Sequence, residues 1–439
     1  MKPHAYFIFT LGCQMNERDS ETIAGILETL GMYPAREPWD ARVLVINTCS
    51  VRAKPEQKAY SRLGQWRPLK EDDQQRIIVV AGCTSQVAAD EVLQRVPYAD
   101  IIIGPRSLGH LQHAVAQRLA DNTADPLIFT DNTELLPEAL PAHRADGISA
   151  FVNINYGCNN YCAYCIVPYA RGPEVSRIPA EVIAECRDAL VAGYVEITLL
   201  GQNVNSYGHD LHPPMEFSDL LLEVGALPGL RRLRFTTSHP KDLSWRLLQT
   251  MTAIPALCEH LHLPIQSGDS EVLTRMGREY TPEHFAQIVS AARAVMPAIS
   301  ITTDVMVGFP GETPEQFDNT IRTFENIRFD QAFMFKYNDR PGTRAIEMPD
   351  KIPEEEKQRR LAELIELQNN IAREINRATE GQLFTVLVEG PDLKTAGAVR
   401  GRTRHNKIMI FPGTPDLAGH TVNVRAREGF LWGHKGELA

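Results

Sequence analysis

Four apolar runs, Ala5–Leu11, Arg42–Asn47, Arg76–Ala81 and Ile101–Gly104, alternate with segments whose apolar residues recur every three or four positions: Ser20–Leu30, Glu56–Trp66, Gln86–Val96 and Leu108–Leu119. Short continuous apolar runs suit strands buried on both faces, and the intervening periodicity suits helices laid over them, so the first part of the chain predicts a parallel α/β sheet. In its first helix Ile23, Ile26, Leu27 and Leu30 form a core-facing stripe, with Asp19 or Ser20 placed to cap it.

A stretch from Asp121 to Gly147 has no strong period and reads as a linker, with one short strand at Leu127–Thr130. A second array follows: Phe151–Asn155, Val195–Leu200, Arg232–Thr236, His260–Ile265, Ile299–Val307 and Gln331–Phe335, nearly every one succeeded by a helical segment. Six β/α units in a row predict an open or partial barrel. A long charged helix, Glu354 to about Thr379, leads into alternating runs at Leu383–Glu389, Ala398–Arg404, Lys407–Phe411, Thr421–Arg425 and Phe430–Trp432, the pattern of a small β-barrel. The expected organisation is α/β in three domains and a linker: a parallel-sheet domain over 1–120, the linker over 121–147, a partial (β/α)6 barrel over 148–378 and a small OB-like barrel over 379–439.

A length of 439 residues accommodates two or three domains, and the 43% hydrophobic and 23% charged content is that of ordinary globular proteins. No run approaches the ~18 consecutive apolar residues of a membrane span. The opening run is short and passes at once into Gln14, Asn16, Glu17 and Arg18, which fits a buried strand rather than a signal peptide. The expected location is therefore a reducing cytoplasm, where eight spaced cysteines are metal ligands or catalytic thiols more readily than disulfides. The net charge of −10 argues weakly against nucleic acid, but Arg377–Ala439 holds nine Lys/Arg against six Asp/Glu. There Arg400, Arg402, Arg404 and Lys407 lie close together with Phe411 nearby, a pattern suited to phosphate contact; a merely solvated basic loop is the alternative.

Cys158, Cys162 and Cys165 form C-x3-C-x2-C directly after a predicted strand. A tetrahedral zinc site would want a fourth ligand at suitable spacing, whereas an iron-sulfur cluster on three thiolates leaves one iron open. Cys13, Cys49 and Cys83 are far apart in sequence, yet each falls at or just after the end of one of the first three strands. In a parallel sheet those ends share one edge, so the three thiols can meet; three small buried residues are the other reading. Cys186 and Cys258 match neither pattern and read as core.

The C-x3-C-x2-C loop after the first strand of a six-unit β/α array resembles the radical S-adenosylmethionine (SAM) superfamily. The chain as a whole is similar to its methylthiotransferase family. The blocks Gly12–Asn16 with Asp19–Glu21, Asn47–Arg52, Val167–Gly172 and Glu174–Arg177 look like the MiaB type, and Gln14-Met15 stands where the ribosomal-protein branch has Pro-Lys. The resemblance implies two [4Fe-4S] clusters, one on Cys158, Cys162 and Cys165 and an auxiliary one on Cys13, Cys49 and Cys83, and a TRAM barrel for RNA. It implies addition of a methylthio group to C2 of N6-isopentenyladenosine next to the anticodon of tRNA, with two SAM molecules consumed. Methylthiolation of threonylcarbamoyladenosine in tRNA or of a ribosomal-protein aspartate is the alternative. A low-potential electron donor such as flavodoxin or ferredoxin and a sulfur donor are further implied partners. Candidate SAM contacts are Tyr164 in the cluster loop, Gln202 and Asn203 after the second barrel strand, and Ser238, Gln266 and Asp304 at later strand ends. Buried polar groups of structural purpose are their alternative. Gly308–Glu312 resembles a glycine turn that approaches the nucleoside. Arg171 and Arg177 fit either substrate phosphate or a buried salt bridge.

Overall fold

The computed structural model describes residues 4–50, 53–121, 125–131, 140–144 and 147–439. Val51 and Arg52 of the Asn47–Arg52 block, and residues 122–124, 132–139 and 145–146 of the expected linker, lie outside the described residues. The chain divides into two compact units, Met1–Asp146 with Asn155–Tyr161 and Cys165–Arg177, and Gly147–Ile154 with Cys162–Tyr164 and Ile178–Ala439.

The first unit is built on a six-stranded parallel sheet. Its strands are β1 (Ala5–Thr10), β2 (Tyr33–Pro34), β3 (Val43–Thr48), β4 (Ile77–Gly82), β5 (Ile101–Ile103) and β6 (Leu127–Phe129), in the order β2-β1-β3-β4-β5-β6. Side chains of β3, β4 and β5 alternate between two cores. Val43, Val45, Ile77, Val79, Ile101 and Ile103 pack with Ile23, Ile26 and Leu27 on one face; Leu44, Ile46, Ile78, Val80 and Ile102 pack with Leu63 and Trp66 on the other. Burial on both faces is what the continuous apolar runs require. The register matches Thr10 with Asn47 and Thr48 with Gly82, so the carboxyl ends of β1, β3 and β4 finish level.

In the second unit β7 (Ser149–Asn153) begins the barrel array. A short antiparallel pair, β8 (Asn155–Tyr156) with β9 (Val175–Ser176), brackets the cysteine loop and belongs to the first unit. The array continues with β10 (Glu196–Leu200), β11 (Arg232–Thr236), β12 (His260–His262), β13 (Ser300–Val307) and β14 (Gln331–Lys336), paired in parallel as β11-β10-β7 and β12-β13-β14. Ile197, Leu199, Leu233, Phe235, Leu261, Ile301 and Val305 join a core with Val182, Leu220, Phe285, Phe317 and Phe324 from the covering helices. Alternate positions therefore turn to the opposite, polar face: Glu196, Thr198, Arg232, Arg234, His260, His262, Thr302 and Asp304. Cys186 and Cys258 are buried, as expected of core residues.

After the helix Glu354–Arg377, five strands close a barrel in the order β15-β16-β17-β19-β18: β15 (Leu383–Pro391), β16 (Ala398–Thr403), β17 (Ile408–Pro412), β18 (Thr421–Phe430) and β19 (Gly433–Leu438). Here the last expected strand is corrected. Phe430 ends β18, Leu431 and Trp432 form the turn to β19, and the final strand is the polar run after it. Among the described residues no helix is long and apolar enough to cross a membrane.

Candidate active site

Cys13 follows β1 and precedes the helix Gln14–Thr29, Cys49 follows β3, and Cys83 opens the short helix after β4. Level strand ends bring them to one edge, with Cys13 exposed and the other two buried. Two glycines make the approach possible. A Cβ on Gly12, whose φ is +140°, would stand 2.8 Å from the Cβ of Cys49; one on Gly82, at φ +97°, would collide with the Thr48 carbonyl. Buried Asn16 donates from Nδ2 to Asn47 Oδ1 at 3.1 Å and to Thr48 O at 3.0 Å, while Asn47 Nδ2 donates to Asn16 O at 2.8 Å. This pair ties the Cys13 turn to the Cys49 turn. Burial pushes the Cys83 thiol up; Arg171, within hydrogen-bonding reach, pulls it back. Arg171 is buried and pairs with Asp19 at 2.6 Å, so for this arginine the salt-bridge reading is the one the structure displays.

Among the described residues no three Cys, His, Asp or Glu side chains converge tightly enough to share one metal ion. A cubane differs in this respect. Its three thiolates bind three different irons and stand farther apart than the ligands of a single ion, so three thiols borne by separate strand ends on a common edge suit it better than zinc.

Cys158 and Cys162 are buried and Cys165 half-buried in the loop that leads to the helix Val167–Arg171. Within the first unit Asn160 Nδ2 donates to Cys158 Sγ at 3.4 Å. Within the second, Ala163 is held on both sides: its N–H donates to Met276 O and its carbonyl accepts from Ala345 N, each at 2.8 Å. Gly277, at φ +72°, makes the left-handed turn after Met276 that a side chain would strain, beside Cys162 and Ala163 of the cysteine loop. Arg278, the next residue, is buried and donates from Nη1 to Cys162 Sγ at 3.5 Å, from Nη2 to Pro264 O at 3.1 Å and from Nε to the Tyr280 hydroxyl at 3.0 Å. Sequence reading missed Arg278, since nothing local marks a residue whose partner is 116 positions away.

Several sequence candidates gather at the strand ends of the second unit. Tyr164 stacks edge-on with Phe309 at 6.4 Å; Gln202 and Asn203 follow β10, with Asn203 Nδ2 donating to Asp242 at 2.6 Å. Ser238 follows β11, and its buried Oγ has no partner among the described residues. Beside it, missed from sequence, stands His239: Nδ1 accepts from Lys241 N and buried Nε2 has no described partner. Burial, Arg278 and Lys241 lower its pKa to about 2, so the ring is neutral. Orphaned buried polar atoms at strand ends are the mark of a polar ligand's seat. Gln266, at φ +66°, bridges to β13 through its backbone. Asp304 requires correction as a strand-end residue. It sits in mid-β13 and faces His262 Nε2 at 3.5 Å, while His262 Nδ1 and His260 Nε2 both meet Thr302 Oγ1 at 3.0 Å. The turn at Gly308 is likewise covered from within the protein, by the Lys357 side chain.

The four basic barrel residues separate into two pairs. Arg400 and Arg402 remain 48% and 39% exposed at their side chains, facing Glu389 at 3.8 and 2.9 Å. Arg404 and Lys407 instead anchor the barrel to the strands of its unit, through Glu259 at 2.7 Å and Asp330 at 2.7 Å. Arg232 and Arg234 complete that seam from the other side, donating to the carbonyls of Thr385, Arg402, Thr403 and Arg404.

Residues 152–324 match the radical SAM superfamily, 5–104 the uncharacterized protein family UPF0004 and 377–431 the TRAM domain. Among solved structures, the radical SAM methyltransferase TsrM from Kitasatospora setae aligns with TM-score 0.57 and 15% identity over 78% of this chain and 74% of its own. The cobalamin-dependent radical SAM enzyme OxsB aligns with TM-score 0.52 and 13% identity over 84% and 56%. The β/α array with three cysteines in the loop near its first strand thus defines a radical SAM protein. The tRNA-2-methylthio-N(6)-dimethylallyladenosine synthase of Carboxydothermus hydrogenoformans is 44% identical over 100% of both chains, and that of Syntrophomonas wolfei is 45% identical over 100% of this chain and 98% of its own. The chain belongs to this family, the MiaB-type methylthiotransferases.

Proposed function

We propose that this chain replaces the C2 hydrogen of N6-isopentenyladenosine, beside the anticodon of tRNA, with a methylthio group. The observation that carries the reading is end-to-end similarity to synthases of that product, joined to the C-x3-C-x2-C loop and to cysteines at the carboxyl ends of β1, β3 and β4. Cys158, Cys162 and Cys165 would hold one [4Fe-4S] cluster and leave an iron for the amino and carboxylate groups of SAM; Cys13, Cys49 and Cys83 would hold the other. Bound there, the clusters supply one-electron cleavage of SAM and a transferable sulfur, chemistry that opens an unactivated aromatic C–H where acid-base groups cannot.

The chain's own residues position the reactants. Asn16 and Asn47 fix the Cys13 and Cys49 turns, and the Met276–Arg278 segment fixes Cys162. Ser238, Gln202, Asn203 and Gln266 present polar groups to SAM, with Tyr164 beside its adenine. Neutral His239 offers its ring edge there without repelling the sulfonium. Asp304, 3.5 Å from His262 Nε2, completes the polar floor. Arg400 and Arg402 take tRNA phosphates, and the target base leaves its stack to reach the site, a cost of a few kcal/mol in a loop. Two SAM molecules are consumed per product, one giving the methyl group. A low-potential one-electron donor and a sulfur donor complete the cycle.

Anaerobic reconstitution followed by iron and sulfide assay tests the cluster assignment. About eight irons per chain are expected, falling to about four when either cysteine triad is replaced by alanine. Zinc without iron would end the reading.

A further inference from the structure

Each cysteine triad has a buried guanidinium against one of its sulfurs, and the two guanidiniums differ in their company. Arg171, in the first unit, reaches the Cys83 thiol but is clamped by the Asp19 carboxylate at 2.6 and 3.4 Å. Arg278, in the second, touches Cys162 Sγ, a backbone carbonyl and a phenol; its described contacts contain no carboxylate. Both side chains are over nine-tenths buried, so neither charge is screened by water.

A [4Fe-4S] core on three thiolates is an anion, and reduction adds one more negative charge. Hydrogen bonds to the sulfurs and uncompensated positive charge favour the reduced form. We propose that Arg278 and Arg171 set the order in which the two clusters accept an electron. Arg278 brings a full positive charge to the Cys162 sulfur and raises the potential of the radical-generating cluster. Arg171, already neutralised by Asp19, leaves the auxiliary cluster the harder to reduce. A single electron from a low-potential donor then reduces the cluster on Cys158, Cys162 and Cys165, where SAM is cleaved. The auxiliary cluster stays oxidised. The inference rests on the cluster assignment made above.

The test uses two full-length proteins, one with Cys13, Cys49 and Cys83 replaced by Ala and one with Cys158, Cys162 and Cys165 replaced by Ala, each loaded anaerobically and assayed for iron and sulfide. The fraction of reduced cluster is then followed by electron paramagnetic resonance during a redox titration. In the first protein Arg278→Gln is expected to lower the reduced-to-oxidised ratio at fixed potential about tenfold, equivalent to about 59 mV for one electron. Arg278→Lys, which keeps the charge and loses the fork, should fall between. In the second, Asp19→Asn should raise the ratio by a similar factor. Full iron content with an unmoved potential in Arg278→Gln overturns the proposal. If that variant holds no iron, unmoved potentials in both Arg278→Lys and Asp19→Asn overturn it. Absence of iron from the two parent proteins would refute the cluster assignment itself, a result distinct from either.

Discussion

Replacing Arg234 by Met is expected to loosen the seam between the small barrel and the strands beneath it. Arg234 and Glu196 are each 8% exposed at their side chains and pair at 2.9 Å, and Ser149 Oγ donates to the other Glu196 oxygen at 2.8 Å. Burial pushes the Glu196 carboxyl up, but Arg234 and Ser149 hold it below its ordinary value, so it is a carboxylate at neutral pH. Removing one partner of a buried pair costs about 3–5 kcal/mol because the remaining charge is stranded. The carbonyls of Thr403 and Arg404 also lose donors at 2.8 and 3.1 Å, although water entering the seam recovers part of that loss. A net cost of about 4 kcal/mol corresponds to roughly a thousandfold loss of hydrogen-exchange protection if the seam opens locally. Amides of 398–404 and 232–236, followed by mass spectrometry, report it. Adding Glu196→Met should restore at least half of the lost protection, since an apolar pair in place of a buried ion pair is often neutral. Exchange in Arg234→Met within threefold of the parent would refute this account of the seam.

Arg400→Ala and Arg402→Ala should each weaken tRNA binding and make the logarithmic salt dependence shallower by ~0.7–0.9. Arg404→Ala and Lys407→Ala should leave that slope alone and raise exchange in 398–412 instead; equal slope changes for all four would refute the division. Gly82→Ala puts a Cβ against the Thr48 carbonyl at a φ of +97°, and should cost the auxiliary cluster, leaving about four irons per chain; full iron content in that variant would count against the crowding argument. His239 stays neutral in the fold to about pH 2, whereas an unfolded chain protonates it near 6.5. Its stability contribution is therefore intact above pH 6.5 and lost by ~1.4 kcal/mol per unit below it. His239→Asn, whose Oδ1 replaces Nδ1 as acceptor for Lys241 N, should flatten the pH dependence of stability between 6.5 and 5.5; an unchanged slope would exclude His239 as its source.

The strands were legible because the first array carries nearly continuous apolar runs while the second alternates apolar with polar positions, and Arg232–Thr236 is reproduced residue for residue. Cysteines placed by strand ends were legible with them. His260–Ile265 was overextended: its ladder stops at His262, before Pro264, which has no N–H to give. The last barrel strand was misplaced because Gly433–Leu438 pairs through its backbone while showing almost no apolar alternation. Charge alone placed Arg400, Arg402, Arg404 and Lys407 together, but the split among them depends on Glu259 and Asp330, which sequence does not bring near. Arg278 and His239 escaped for the same reason. Their roles are defined by partners across the fold, and neither sits in a run with a period.

The most direct test of the central claim is mass spectrometry of nucleosides from isopentenylated tRNA incubated anaerobically with the reconstituted protein, SAM, dithionite and a sulfur source. The account predicts 2-methylthio-N6-isopentenyladenosine, absent when Cys158, Cys162 and Cys165 are replaced by Ala and equally absent when Cys13, Cys49 and Cys83 are. Fully loaded protein that leaves N6-isopentenyladenosine unchanged while cleaving SAM would contradict it.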